Sequence, residues 1–236
     1  EPEGLLRSAR TVYRTPEAFA AQVGNMVPCP EGRVRAVADG EVFELLAGRP
    51  LKCHFMEGHA RHHIVVHDPV TSSAFTGDAF GSTYDDAFEY GLALGTTVPA
   101  TTPIDFDFRK AMEAADRVEA MGVAHAWPTH FGPISDVPGA AAQLRALLPK
   151  FEGVRHDLSV RMQRGATPVE AQAFGEERVE AIICDHFAAR GLQSPPADFW
   201  TGRMRLEREI NTQGLVVAAQ RFPVDLAAAT EARSKL

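Results

Sequence analysis

The sequence predicts an α/β domain that passes into an all-helical segment, and three observations predict it. Short apolar stretches separated by turn residues run from 33 to 78. A helix-spaced segment over 105–121 leads into a short apolar run at 123–127. Everything after Gly165 carries the apolar spacing of packed helices, as in Val179, Ile182, Ile183 and Phe187.

Taken in order, Pro2–Tyr13 and Pro16–Val23 read as two short helices, each with Pro near its first turn, where the missing N–H costs nothing. Val34–Val37, Val42–Leu45, Leu51–Met56, Ile64–His67 and Ser72–Thr76 read as strands, separated by Asp39-Gly40 and Gly48-Arg49-Pro50 and closed by Gly77. The stretch from Phe80 to Pro103 lacks a sustained period and reads mostly as a long loop, a feature often tied to function in compact domains. Phe108, Met112, Ala115, Val118 and Met121 mark one face of a helix that Gly122 stops. Val123–Trp127 is a buried strand, and helices follow from Val137 towards Met162, over Pro168–Arg190, and over about Phe199–Gln220. The division falls at 1–155 for the α/β part and 156–236 for the helical extension.

Composition narrows the function. With 24 Lys and Arg against 31 Asp and Glu the net charge is -7, so no basic field is present to hold nucleic acid. No apolar run approaches the ~18 residues of a membrane helix. A soluble, cytoplasmic protein acting on a small molecule is the expectation. Cys29, Cys53 and Cys184 form no CxxC pair, against both a disulfide framework and a cysteine zinc site. The nine histidines are more informative, because His54, His59, His62, His63 and His67 crowd between positions 54 and 67.

Three local features carry chemistry: Gly58-His59-Ala60-Arg61-His62-His63, Phe75-Thr76-Gly77-Asp78, and Pro128-Thr129-His130-Phe131-Gly132. Each puts an imidazole or carboxylate where a strand gives way to a loop, and Gly beside it allows a sharp turn. These are the ligand types of hydrolytic zinc sites, where an open position binds and acidifies water. A lone His at a strand end is more often structural, and a Gly-Asp pair is most often a turn. The order of all three is what points to a metal.

That order resembles the second half of the metallo-β-lactamase fold superfamily, in the form of a glyoxalase II-like general metallohydrolase with a helical C-terminal extension. The resemblance implies a four-layer αββα sandwich, represented by residues 1–155 as its C-terminal portion. It implies His59, Asp78 and His130 as metal ligands, with the Asp78 carboxylate bridging two ions and serving as the catalytic carboxylate. His63, Tyr84 and Phe131 fall beside these positions, as groups that orient ligands or touch substrate. Zinc is the implied metal, one or two ions in a complete site; imidazole and carboxylate also suit iron or manganese.

The sequence departs from the family where the family is most distinctive. The His-x-His-x-Asp-His motif is absent, Glu57 stands where the family usually has Pro, and four of the usual metal-binding side chains are missing. Because Glu1–Ala21 resembles the helical segment after the missing motif, the chain reads as the C-terminal part of a longer protein. The alternative is a natural half-protein that either pairs with a partner chain or has lost metal chemistry; separately, a homo-oligomer stays open. Three functions follow: a hydrolase of an ester, thioester, lactone or similar bond, weak in this chain by itself; an iron-dependent thiol or sulfur oxidoreductase on the same fold; and a non-catalytic binding module with a relic site. The run Glu207-Arg208-Glu209 with Arg203 and Arg205 reads as a solvated face, above packed Leu206, Ile210, Leu215 and Val216.

Overall fold

The computed structural model describes residues 15–24, 27–101, 104–130, 132–193 and 195–226, with Glu3, Leu6, Arg7 and Arg10. The expected helix over 2–13 lies for the most part outside the described residues. Two compact units are present, residues 1–38 and 39–236. In the first, Pro16–Val23 forms helix α1: the Thr15 hydroxyl accepts the Ala18 N–H, Pro16 opens the first turn, and Gly24 ends it at φ 71°. Val34–Val37, expected as a strand, joins no ladder; Val34 is 65% exposed, and the alternation there offers no buried face.

The second unit contains strands β1 (Val42–Leu46), β2 (Arg49–Phe55), β3 (Ile64–Asp68), β4 (Ser73–Gly77), β5 (Ser82–Thr83) and β6 (Thr97–Val98), then helix α2 (Phe108–Ala120), strand β7 (His125–Pro128), and helices α3 (Val137–Gln163), α4 (Pro168–Ala189) and α5 (Arg205–Arg221). The main sheet has the order β1-β2-β3-β4-β7. Its first four strands are an antiparallel meander, and β7 joins parallel to β4 after the α2 crossover. β5 and β6 pair separately inside the long loop, which also holds the 3-10 turn Asp85–Tyr90; a second such turn, Asp78–Phe80, leads into it. The expected loop is therefore a folded-back segment with its own short ladder.

Period-two alternation divides the sheet into two faces. Val65, Ala74, Thr76 and Ala126 point to one and are buried. Ala114, Ala115 and Val118 of α2 and Ala140, Ala141, Leu144 and Leu148 of α3 share that core. Alanines on both sides let the helices approach closely. Val66, Phe75 and Trp127 lie across three strands on the other face, where Phe75 and Trp127 stack with ring centroids 6.4 Å apart.

The helices have physical start signals. Asp107 caps α2 through the Lys110 N–H, Asp136 caps α3 through the Gly139 N–H, and Thr167 with Glu170 forms a capping box on α4. α3 runs unbroken past residue 155, and the helical segment after it belongs to the same compact unit. A π-turn, Phe199–Arg203, precedes α5. Among the described residues no helix is long and apolar enough to cross a membrane.

Candidate metal centre

Strand direction gathers the candidate ligands. β2, β4 and β7 all end at one edge of the sheet, and β3 begins there. His59 follows β2, His63 precedes β3, Asp78 follows β4 and His130 follows β7. β2 and β7 stand three strands apart, ~14 Å at the usual spacing. Their histidines meet only because both loops lean over the end of β4.

Two glycines make that possible. Gly77 has φ 51°, and a Cβ on it would sit 2.6 Å from the His63 ring. Gly58 has φ 131°, and its Cβ would meet the Ala111 backbone at 2.7 Å. Gly therefore lets His63 lie against the end of β4 and lets the His59 loop lie on the first turn of α2. The Gly58 carbonyl accepts the Asp107 N–H there at 2.9 Å.

Asp78 stands between two imidazoles. Its Oδ2 lies 3.6 Å from His59 Nε2 and its Oδ1 lies 3.6 Å from His130 Nε2. Both distances are too long for hydrogen bonds, and Oδ1 is a buried oxygen with no hydrogen-bond partner among the described residues. Two ligands at 2.0–2.2 Å from one tetrahedral ion stand about 3.3–3.6 Å apart. A cation between His130 and Asp78 would thus satisfy the Asp78 Oδ1, the His59 pair has the same separation, and the donor set fits such ions. The Nδ1 of His59 is 3.2 Å from the Ala100 carbonyl. A proton on Nδ1 leaves the Nε2 lone pair facing Asp78, the tautomer a ligand needs.

His63 is tied to the Asp78 backbone rather than to its carboxylate. Its Nε2 accepts the Asp78 N–H at 3.1 Å, and its ring meets His59 edge-on at 5.8 Å. Burial, then the charge of His59, holds its imidazole below the ordinary histidine value against the pull of Asp78. The His130 loop is held by the Thr83 hydroxyl, which reaches the carbonyls of His130 at 3.1 Å and Gly132 at 3.2 Å. The His130 side chain is 52% exposed, so the site opens to solvent on that side.

Among the described residues no three His, Cys, Asp or Glu side chains form one metal-binding group. Two pairs share Asp78 instead.

The sheet order, its parallel last strand and the helices on one face can now be compared with solved structures. A metallo-β-lactamase superfamily protein from Sulfolobus tokodaii matches with a TM-score of 0.54 and 19% identity, over 90% of this chain and 62% of that one. The chain has the metallo-β-lactamase fold. Two further structures are similar: a metallo-β-lactamase family protein from Thermus thermophilus (TM-score 0.49, 18% identity, 94% of this chain and 61% of that one) and a β-lactamase domain protein from Burkholderia ambifaria (TM-score 0.47, 16% identity, 97% and 57%). The chain spans 62% of the length of the Sulfolobus tokodaii protein. No family model and no curated protein matches the sequence.

Within this metallo-β-lactamase fold the remaining candidates take definite places. Tyr84 is 3% exposed, packs on Phe187 of α4 at 5.2 Å between ring centroids, and hydrogen-bonds the Glu207 side chain. Phe131 lies outside the described residues. His62 is exposed, and His54 and His67 face each other at 6.3 Å away from the ligands.

The expected solvated face on α5 is corrected. Glu209 is 9% exposed and bonded to Arg205, while Arg208 pairs with Glu176 and Glu180 of α4. Leu206, expected beneath them, is 49% exposed. Glu207 bonds Asn211 and Tyr84, and its carboxyl is coupled to His130 and Asp78. Burial pushes that carboxyl above its ordinary value, although the two hydrogen bonds oppose the rise. Sequence reasoning missed Glu207 and Asn211, and the one available signal was a polar i, i+4 pair on a helix whose other face is apolar.

Proposed function

We propose that this chain is the ligand-bearing C-terminal portion of a metal-dependent hydrolase that cleaves an ester, thioester, lactone or similar bond in a small molecule. The observation that carries this reading is the Asp78 carboxylate, with one oxygen turned to each of two imidazole Nε2 atoms at 3.6 Å. Zinc is the proposed metal, which His59 with Asp78 and His130 with Asp78 would hold. The bound metal would supply an acidified water at neutral pH. His59 is kept as an Nε2 donor by Ala100, His63 steadies the Asp78 backbone, and Asp78 keeps its two oxygens on opposite partners. Two protein ligands per position hold an ion weakly, so the remaining ligands belong to a second β-sheet, in the same polypeptide or a partner. The open sheet face with Phe75 and Trp127 is the place for it.

Cobalt titration of the chain followed by visible absorption tests the reading. Binding is expected in the wild type and is lost in Asp78→Ala, and elemental analysis of the untreated protein separates zinc from iron. A chain that takes up no cobalt and carries no metal would leave the relic reading in its place.

A further inference from the structure

The segment that orients His59 is held by the C-terminal helix. Thr101, fully buried, directs its N–H to Asn211 Oδ1 at 2.7 Å and its hydroxyl to the carbonyl and Oδ1 of Asn211, both at 2.9 Å. Asn211 is 1% exposed and uses its amide N–H on Glu207 Oε1 at 2.6 Å. The residue before Thr101 is Ala100, whose carbonyl faces His59 Nδ1. Farther along α5, Arg221 reaches the Ile104 carbonyl and the Asp105 carboxylate, both at 3.5 Å, and Asp105 holds Arg61 of the His59 loop at 3.0 Å. The helix thus grips the segment at two points, Thr101 and Ile104–Asp105.

We propose that Asn211 is a positioning residue of the metal centre: through Thr101 it fixes the Ala100 carbonyl and so keeps the His59 proton on Nδ1 and its lone pair on Nε2. A buried amide with this many partners is costly to place and rigid once placed, because each group left unpaired there loses its solvation without return. It makes the helical extension part of the metal site rather than an appendage. Glu207 completes the arrangement by fixing which way the Asn211 amide is turned: a carboxylate accepts only from the N–H side, leaving Oδ1 for Thr101.

The inference rests on His59 being a ligand, but its first test does not require metal. In the full chain with isotopically labelled histidine, NMR of the ring nitrogens at about pH 8 reads the tautomer directly. Wild type and Thr101→Ser, which keeps the hydroxyl, are expected to hold His59 as the Nδ1–H form. Asn211→Ala and Thr101→Val are expected to give a mixture with the Nε2–H form. If Asn211→Ala does not fold, Thr101→Val, nearly isosteric, decides alone. An unchanged His59 tautomer in a folded variant overturns the proposal. Cobalt affinity is the second readout: about a 10- to 100-fold loss is expected for Asn211→Ala, with Thr101→Ser near wild type. Metal binding that survives His59→Ala would refute the ligand assignment, while the tautomer result still decides the role of Asn211.

Discussion

The two faces of the main sheet differ in cover and in the size of the side chains they present. Both are apolar, but the face with Val65, Ala74 and Ala126 is covered by α2 and α3, whereas Phe55, Ile64, Phe75 and Trp127 stand 42%, 38%, 46% and 41% exposed on the other. Small residues line the covered face on β4 and β7, where helices approach it closely, while Lys52, His54 and His67 lie on the same face towards β2. Large aromatic and branched residues line the open one, as in a sheet packed on another sheet. Apolar residues on both faces are the mark of a sheet buried on both sides, which makes the exposed aromatic pair a candidate surface for association.

The comparison breaks most visibly on β7, where adjacent residues point to opposite faces. Ala126→Asp puts a carboxylate into the helix-covered core and is expected to abolish the cooperative melt, a loss above about 4 kcal/mol. A variant that still melts cooperatively near the wild-type temperature would show that face to be loosely packed. At the sheet edge between the faces, Gly77→Ala is expected to cost about 1–3 kcal/mol and to push His63 off the Asp78 N–H, weakening cobalt binding with it. Replacing Phe75 and Trp127 together by Thr should change stability by within about 1 kcal/mol yet lower self-association in sedimentation. Unchanged association would mean that the open face is not what holds copies together.

Smaller effects sharpen the helical side. Burial, then the charge of Arg190, holds His186 of α4 below its ordinary value of 6.5. The unfolded chain therefore takes up this proton first as pH falls, so its contribution is full above about pH 6.5 and declines below it. Denaturation at stepped pH should show this slope in the wild type and less of it in His186→Asn; equal slopes would assign it elsewhere. Cys184, also on α4, has its thiol pushed up to about 11 by burial and by Glu180 and Asp185, while Cys29 is exposed and Cys53 buried. A thiol reagent at neutral pH should modify Cys29 first, with Cys184 slow until the helices open. Equal rates at the two would put Cys184 in solvent.

What the sequence made legible was local. The Gly residues before His59 and Asp78 signal close backbone approach, but it was the order of the three motifs and the family resemblance it carries that named His59, Asp78 and His130 as candidates before any distance was known. Asn211 and Glu207 could not, because a polar residue buried by a partner 110 positions away has the same local pattern as one facing water. The expected strand at 34–37 failed for a related reason: alternation creates a strand only where a neighbour accepts its ladder.

By itself, then, the sequence determined the α/β order, the helix starts and which imidazole and carboxylate groups stand beside glycine at strand ends, since capping, glycine conformations and side-chain chemistry belong to a few neighbouring residues. Only the tertiary structure decided that β2, β4 and β7 end together, that Asp78 is shared between two imidazoles, and that α5 turns Glu207 and Asn211 inward. Those facts depend on strand direction and on helix rotation, which are set by packing across the whole unit and leave no periodic trace in the segment concerned.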